Sequence, residues 1–242
     1  MKVAIQAPIP LLEDYCTLTN YQVCKPTLIL EDRPYRDFYI YRKEQRDYVV
    51  LDCSDTDPRD AVSPRSLLEA TKILKPNLVV APDYDVSSVK TANLTVPFLH
   101  TYGRDIRGMG ISLLGMVQGV TLEQYLFCYR TISRLVDAIG LSRSMEVKIG
   151  RANFLKRIKT NKPIHLFGIH GNPEGELESL LDLDRDNLFG ISTSLPVRLG
   201  FQCRLLDEYL PEPPQLDYHS NFNPFPEFTK DNVEDFIGLA GG

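Results

Sequence analysis

The sequence predicts an α/β chain folded as one (β/α)8-like (TIM) barrel, irregular in places, followed by a C-terminal helical extension. Three observations lead there. A chain of 242 residues is long enough to bury one sizeable core. Short apolar strands alternate with segments of helical period, the mark of parallel βαβ units. Polar residues recur immediately past those strands, where a parallel barrel gathers them at one end.

The elements follow in order. Val49-Val50-Leu51 is a β-branched apolar run, hence a strand. Ser63 and Pro64 read as an N-cap and first helical residue, followed by Leu67, Leu68, Ala70, Ile73 and Leu74 at helical spacing. Leu78 to Ala81 is the next strand, and a short helix is expected from about Val86 to Leu94. Leu113 to Val117 is a strand. Thr121 opens a long helix, with Gln124 three residues on as in a capping box and Gly140 as its C-terminal stop. Met145 to Ile149 is expected as a strand and Ala152 to Ile158 as a helix. Ile164 to Gly168 is a strand, Pro173 to Leu183 a helix and Leu188 to Ile191 a strand. With further N-terminal strands, these units suit a barrel over residues 1–210 better than a three-layer sandwich. Residues 211–242, Pro-rich and aromatic before a helix over Lys230 to Leu239, form an extension packed on the barrel.

Composition narrows the function classes. A net charge of −5 excludes a uniformly basic surface but leaves room for a local basic patch. No apolar run reaches the ~18 residues that span a bilayer, and the N-terminal residues do not read as a signal peptide. The five cysteines are scattered and odd in number, which fits reduced thiols in a cytoplasmic protein better than a disulfide framework. No CxxC pair and no metal-ligand spacing stands out, so no metal and no cofactor is called for.

The strand-end residues are the candidates for chemistry. Asp52 follows Val49-Val50-Leu51; Asp83 and Asp85 follow the strand ending at Ala81; Gln118 and Gly119 follow Met116-Val117. Gly150 follows Lys148-Ile149, His170 lies just beyond Phe167-Gly168, and Ser192 follows Gly190-Ile191. Loops are polar for solvation alone, so each position taken singly has a plain explanation. His165, inside a strand, reads as a core histidine rather than a ligand.

Several segments resemble the tRNA-guanine transglycosylase superfamily. Val117-Gln118-Gly119 with Thr121-Leu122-Glu123 is similar to its Val-Gln-Gly segment. His165 to Ile169, with Asn172-Pro173-Glu174 after it, is similar to its His-Leu-hydrophobic-Gly-Val strand. Gly190 to Arg198 resembles the strand that carries its nucleophile, and Val50-Leu51-Asp52 the strand ending in its first catalytic aspartate. Ser63-Pro64 to Asp83 looks most like the compact phage branch that places 7-deazaguanines into DNA. The resemblance covers roughly residues 48 to 200, through short motifs whose order and spacing agree.

The resemblance implies roles. Asp83 would read the Watson–Crick edge of a flipped base, Gln118 and the backbone N–H around Gly150 would meet its exocyclic oxygen, and Phe167 would pack on its face. Asp52 would serve beside the sugar, where bond cleavage builds positive charge. From the residues themselves, His170, past its strand end, is a candidate substrate contact, and Asp52, Asp83 or Asp85 could activate a water. Two departures redirect the chemistry. Ser192 stands where the family has its nucleophilic aspartate, and the cysteine-rich zinc module is missing. Hydrolysis survives both losses: a DNA glycosylase leaving an abasic site, its target an unusual base, modified in foreign DNA or damaged. The alternatives are exchange of guanine for a 7-deazaguanine, and a non-enzymatic base- or protein-binding member.

A polyanionic partner is expected, DNA first with RNA open, and no membrane. From Arg143 to Lys162 seven basic residues face one acid, Glu146. Within it, Arg151, Lys156, Arg157 and Lys159, together with Arg198 further on, are the nucleic-acid candidates; a solvated helix face is the alternative. Arg104 and Arg107 are candidates for a loop over the pocket. The superfamily often forms homodimers, an expectation that carries over with the resemblance.

Overall fold

The computed structural model describes residues 1–53, 62–170, 172–206, 216–220 and 224–241. Its centre is an all-parallel sheet of eight strands, curled into a nearly closed barrel and surrounded by helices. The strands are β1 (Lys2–Ile5), β2 (Tyr21–Cys24), β3 (Tyr48–Leu51), β4 (Leu78–Val80), β5 (Ser112–Val117), β6 (Ala138–Ser142), β7 (Ile164–Phe167) and β8 (Leu188–Thr193). The helices are α1 (Leu12–Tyr15), α2 (Pro26–Glu31), α3 (Arg33–Glu44), α4 (Pro64–Leu74), α5 (Ser88–Gly108) and α6 (Leu122–Ile132), then α7 (Arg143–Ile149), α8 (Arg151–Leu155), α9 (Pro173–Leu181), α10 (Leu195–Gly200) and α11 (Pro226–Leu239). Neighbouring strands pair in the order β1-β8-β7-β6-β5-β4-β3-β2, so β1 and β2 are the two edges. They lie side by side, and no backbone ladder joins them among the described residues. Among those residues no helix is long and apolar enough to cross a membrane.

Local chemistry sets the helix starts. The Ser63 hydroxyl accepts from the Ser66 N–H at 3.0 Å, with Pro64 first in α4. At α6 the Thr121 hydroxyl accepts from Gln124 N–H, while Gln124 Oε1 reaches back to Val120 N–H at 2.9 Å, a reciprocal cap. Asn172 caps α9 through Gly175 N–H at 3.2 Å.

Register stacks the interior in layers. Met116, Gly140, His165 and Gly190 are successive partners in one layer; Ser142, Phe167, Ser192 and Ala4 form the layer above, beside Gln118. Two glycines make room for large neighbours. A Cβ on Gly140 would stand 2.3 Å from Met116 Sδ, and one on Gly190 would stand 2.8 Å from the Tyr21 ring. The barrel is thus filled by side chains rather than open through its axis.

The structure redraws one stretch of the sequence reading. The helix opened at Thr121 stops at Ile132, not at Gly140, which lies inside β6. The apolar spacing of Leu135, Val136 and Ile139 continues the helical period by accident; those residues serve the turn and strand instead. Met145 to Ile149, expected as a strand, is helix α7, with Met145 buried and Val147 half exposed, as one helix face requires. The expected helix from Val86 runs on to Gly108 as α5, carrying Pro97 within it. Arg104 and Arg107 therefore lie in its last turns, and Arg107 pairs with Asp137, which precedes β6, at the end of the barrel where strands begin. The 210/211 boundary falls outside the described residues. Beyond it α11 lies on α10, where a Cβ on Gly200 would come within 2.5 Å of Thr229 Cα.

Candidate active site

The polar residues that follow β2 to β6 meet at the C-terminal mouth of the barrel. Asp52 extends β3, its N–H donating to Cys24 carbonyl at 2.9 Å. Its Oδ2 lies 2.5 Å from the Nζ of Lys25, which follows β2. Both side chains are largely buried, at 7% and 10% exposure. Burial opposes the Lys25 charge, but the Asp52 carboxylate outweighs it and holds the ammonium above the ordinary lysine range. Tyr35 Oη accepts from Lys25 N–H at 3.0 Å and fixes the backbone there.

Asp83, past β4, is the second carboxylate. Its Oδ2 accepts from Gln118 Nε2 at 2.7 Å and its Oδ1 from the Cys53 thiol at 3.5 Å. Burial pushes its pKa up to about 6; the bonds from Gln118 and Cys53 oppose this, while the charges of Asp52 and Asp85 add to it. Burial pushes the Cys53 thiol up as well, so it is a hydrogen-bond donor rather than a thiolate. Gln118 Oε1 accepts from Ser142 Oγ at 3.2 Å; Ser142 shares a hydrogen bond with Ser144 at 2.7 Å, and Ser144 donates to Asp85 Oδ1 at 3.1 Å. With a carboxylate at one end of its amide and a hydroxyl at the other, Gln118 is held in one orientation. Asp85 is exposed at the rim of this chain.

The β7–β8 side is less polar. Phe167 is half-buried, its ring 4.2 Å from that of His165. Ser192 is buried, with Oγ 3.1 Å from His165 Nε2. His170 is half-buried, and its N–H donates to Glu176 Oε2 at 2.9 Å. Gly119 is buried against the first turn of α6, where a Cβ would stand 3.0 Å from Tyr125 N.

Several expected contacts lie elsewhere. Gly150 does not end a strand: it links α7 to α8 at a φ of +78°, and its N–H donates to the carbonyls of Met145 and Glu146, both at 3.1 Å. The next N–H, of Arg151, donates to Glu146 Oε2 at 2.7 Å, so neither N–H is left for an exocyclic oxygen. Arg151, expected on nucleic acid, is wholly buried. Its guanidinium bonds the carbonyls of Ser142, Phe167 and Gly168 and pairs with Glu176 at 2.7 Å, tying the ends of β6 and β7 to α9. Lys156, Arg157 and Lys159 are exposed but follow α8 toward the start of β7. There Lys159 carbonyl accepts from Tyr129, and Thr160 carbonyl from Asn187, which precedes β8, so this patch belongs to the opposite end of the barrel. Arg198 stays near the mouth, in α10; burial lowers its pKa to about 10, with the Arg143 charge contributing.

Lys25, Ser142 and Ser144 are missing from the sequence reading. Lys25 obeys the same strand-end pattern, following the buried Tyr21 to Cys24 as Asp52 follows β3. Ser142 ends β6, whose first residues, Ala138 to Gly140, read as the tail of the helix from Thr121, so no strand end is expected there. In comparisons with known proteins, the chain matches no family model and no curated protein.

Proposed function

We propose that the chain is an N-glycosidic bond hydrolase acting on a nucleobase in DNA, a glycosylase that leaves an abasic site. The observation that carries this reading is the pairing, at one barrel mouth, of two carboxylates in unlike surroundings. Asp52 is ion-paired with Lys25, whereas Asp83 is half-buried against a neutral amide and a thiol. Two acids set apart by environment suit a reaction that must both hold a base and attend to a developing cation.

In this reading the flipped base enters beside Phe167. Ionised Asp83 accepts from the base's N–H donors, and Gln118, already oriented by Asp83 and Ser142, presents its amide to the base edge. Asp52 faces C1′, stabilises the positive charge that grows there and accepts a proton from water. The water oxygen bonds to C1′ as the C1′–N bond breaks; the base departs with the bonding electrons and takes up a proton from solvent. Lys25 holds the Asp52 carboxylate in place and balances its charge. Arg143 and Arg198, near the mouth, are better placed for a backbone phosphate than the basic patch at the far end.

The decisive experiment offers DNA carrying normal or modified bases, without free base, and scores abasic sites by alkaline strand cleavage. Cleavage lost in Asp52→Ala supports hydrolysis. A second reading, exchange of guanine for a 7-deazaguanine, is favoured by the presence of Asp83 and Asp85 as further acids near the mouth. Incorporation of labelled 7-deazaguanine without abasic sites would establish exchange instead, and neither product on a broad panel would leave a binding protein.

A further inference from the structure

We infer that Tyr21 and His165 are positioning residues that make Ser192 a hydrogen-bond donor to the ligand in the barrel mouth, and not a nucleophile. The donor role rests on the mouth being a ligand site, as proposed above; the hydrogen-bond direction does not.

Three buried side chains from three strands form one chain through the barrel. Tyr21 Oη of β2 lies 2.7 Å from His165 Nδ1 of β7, and His165 Nε2 lies 3.1 Å from Ser192 Oγ of β8. None is more than 2% exposed. The proton inventory leaves two directions, and the placement of the leftover hydroxyl hydrogen decides between them. Burial lowers the His165 pKa to about 3, so the ring is neutral and carries one N–H. Burial pushes the Tyr21 phenol up, so it keeps its proton.

If His165 carried its proton on Nδ1, it would donate to the phenol oxygen. The phenol hydrogen would then be buried with no acceptor among the described residues. In the reverse arrangement Tyr21 donates to Nδ1 and Nε2–H donates to Ser192 Oγ; the hydrogen left to place is then that of Ser192, in the layer beside Gln118 at the mouth, rather than a phenol hydrogen packed among the Tyr48 and Phe189 rings. A nucleophilic serine needs the opposite, a bare Nε2 that takes the hydroxyl proton. Here the Ser192 oxygen receives a hydrogen bond, and its own hydrogen is directed to another acceptor. Its register neighbours, Ala4 and Phe167, offer no side-chain acceptor, and no other side-chain partner for it occurs among the described residues. The acceptor it fits is a carbonyl oxygen or ring nitrogen of a bound heterocycle. This gives the serine at the end of β8 a use: it selects the ligand.

The test is long-range proton–nitrogen NMR on the full chain labelled at the histidine rings, with His165 assigned through His165→Asn. The expected result is a single neutral tautomer, protonated on Nε2, unchanged from pH 5 to 8, which Tyr21→Phe converts to a mixture in a protein of unchanged circular dichroism. A bare Nε2, or a tautomer insensitive to Tyr21→Phe, would overturn the inference. Kinetics on the abasic-site assay supply the second arm. Ser192→Ala should raise KM about tenfold and leave kcat within about tenfold, whereas loss of a nucleophile removes roughly 10³-fold or more from kcat. If no DNA is cleaved, a 7-deazaguanine base titrated into the labelled protein replaces that arm: it should shift the His165 Nε2–H signal in the wild type and bind about tenfold more weakly to Ser192→Ala. Equal binding by both proteins would overturn the donor role. The tautomer is read without substrate, so failure of the glycosylase reading and failure of this inference are separable.

Discussion

Replacing Arg151 by Met separates two accounts of one residue. Met keeps much of the stem's bulk but removes the guanidinium, leaving Glu176 buried at 3% side-chain exposure without its partner. Removing one member of a buried pair costs about 3–5 kcal/mol. The carbonyls of Ser142, Phe167 and Gly168 lose a donor at 3.0, 2.7 and 2.9 Å, each worth at most about 1 kcal/mol and not additive. A destabilisation of about 4–6 kcal/mol is expected, lowering Tm by roughly 10–20 °C for a chain of this size. Urea denaturation followed by circular dichroism measures it, with Arg151→Lys as the milder variant should Met prevent folding. Arg151→Met with Glu176→Leu should be more stable than Arg151→Met alone, because the stranded carboxylate is gone. A loss under about 1 kcal/mol, with weakened DNA binding, would refute the structural account and restore Arg151 to a phosphate contact.

Other expectations follow from the mouth and the core. Asp52→Asn should lower the rate of base release at least about 10²-fold; an unchanged rate in the abasic-site assay would remove Asp52 from the chemistry. Asp83 binds its proton more tightly folded than unfolded, so its contribution to stability is full below the unfolded carboxyl pKa and fades as pH rises through about 6. Chemical denaturation from pH 4 to 7 should show that decline, and Asp83→Asn should flatten it. Base binding should rise over the same interval, because only the ionised carboxylate accepts from N–H donors on both oxygens. Gly140→Ala, which sets a methyl 2.3 Å from Met116 Sδ and 2.7 Å from Leu114 Cδ2, should cost about 1–3 kcal/mol by thermal melting.

How far the sequence could be read depended on what each residue answers to. The barrel was legible because a strand buried on both faces must be apolar throughout and its following loop need not be. That rule places Asp52, Asp83, Gln118 and Ser192 at strand ends, where the structure has them. It failed around β6, where Ala138-Ile139-Gly140 fits either period and the deciding contact, Gly140 against Met116, comes from another strand. It failed for Arg151 because charge in a sequence says nothing of depth; the partner that permits burial, Glu176, is 25 residues away. The hydrogen bond from Gln118 to Asp83 spans 35 residues and the chain from Tyr21 to His165 spans 144, distances over which local patterning carries no signal.

The unlaced joint between β1 and β2 has a mechanical meaning. A closed hoop must break strand-to-strand hydrogen bonds to change its girth; a curled ribbon need only shift its free edges. Here one edge leads into Lys25 and the other lies beside Ser192, so the two flanks of the mouth can part with every ladder intact. What spans the gap is side chains: the Tyr21 phenol, rooted in β2, reaches over to His165 while its ring packs on Phe189 of β8, and Lys2 of β1 lies over the Tyr48 ring. The girth of this ribbon rests on side-chain contacts rather than backbone bonds, and amide hydrogen exchange at the two edge strands would report its opening.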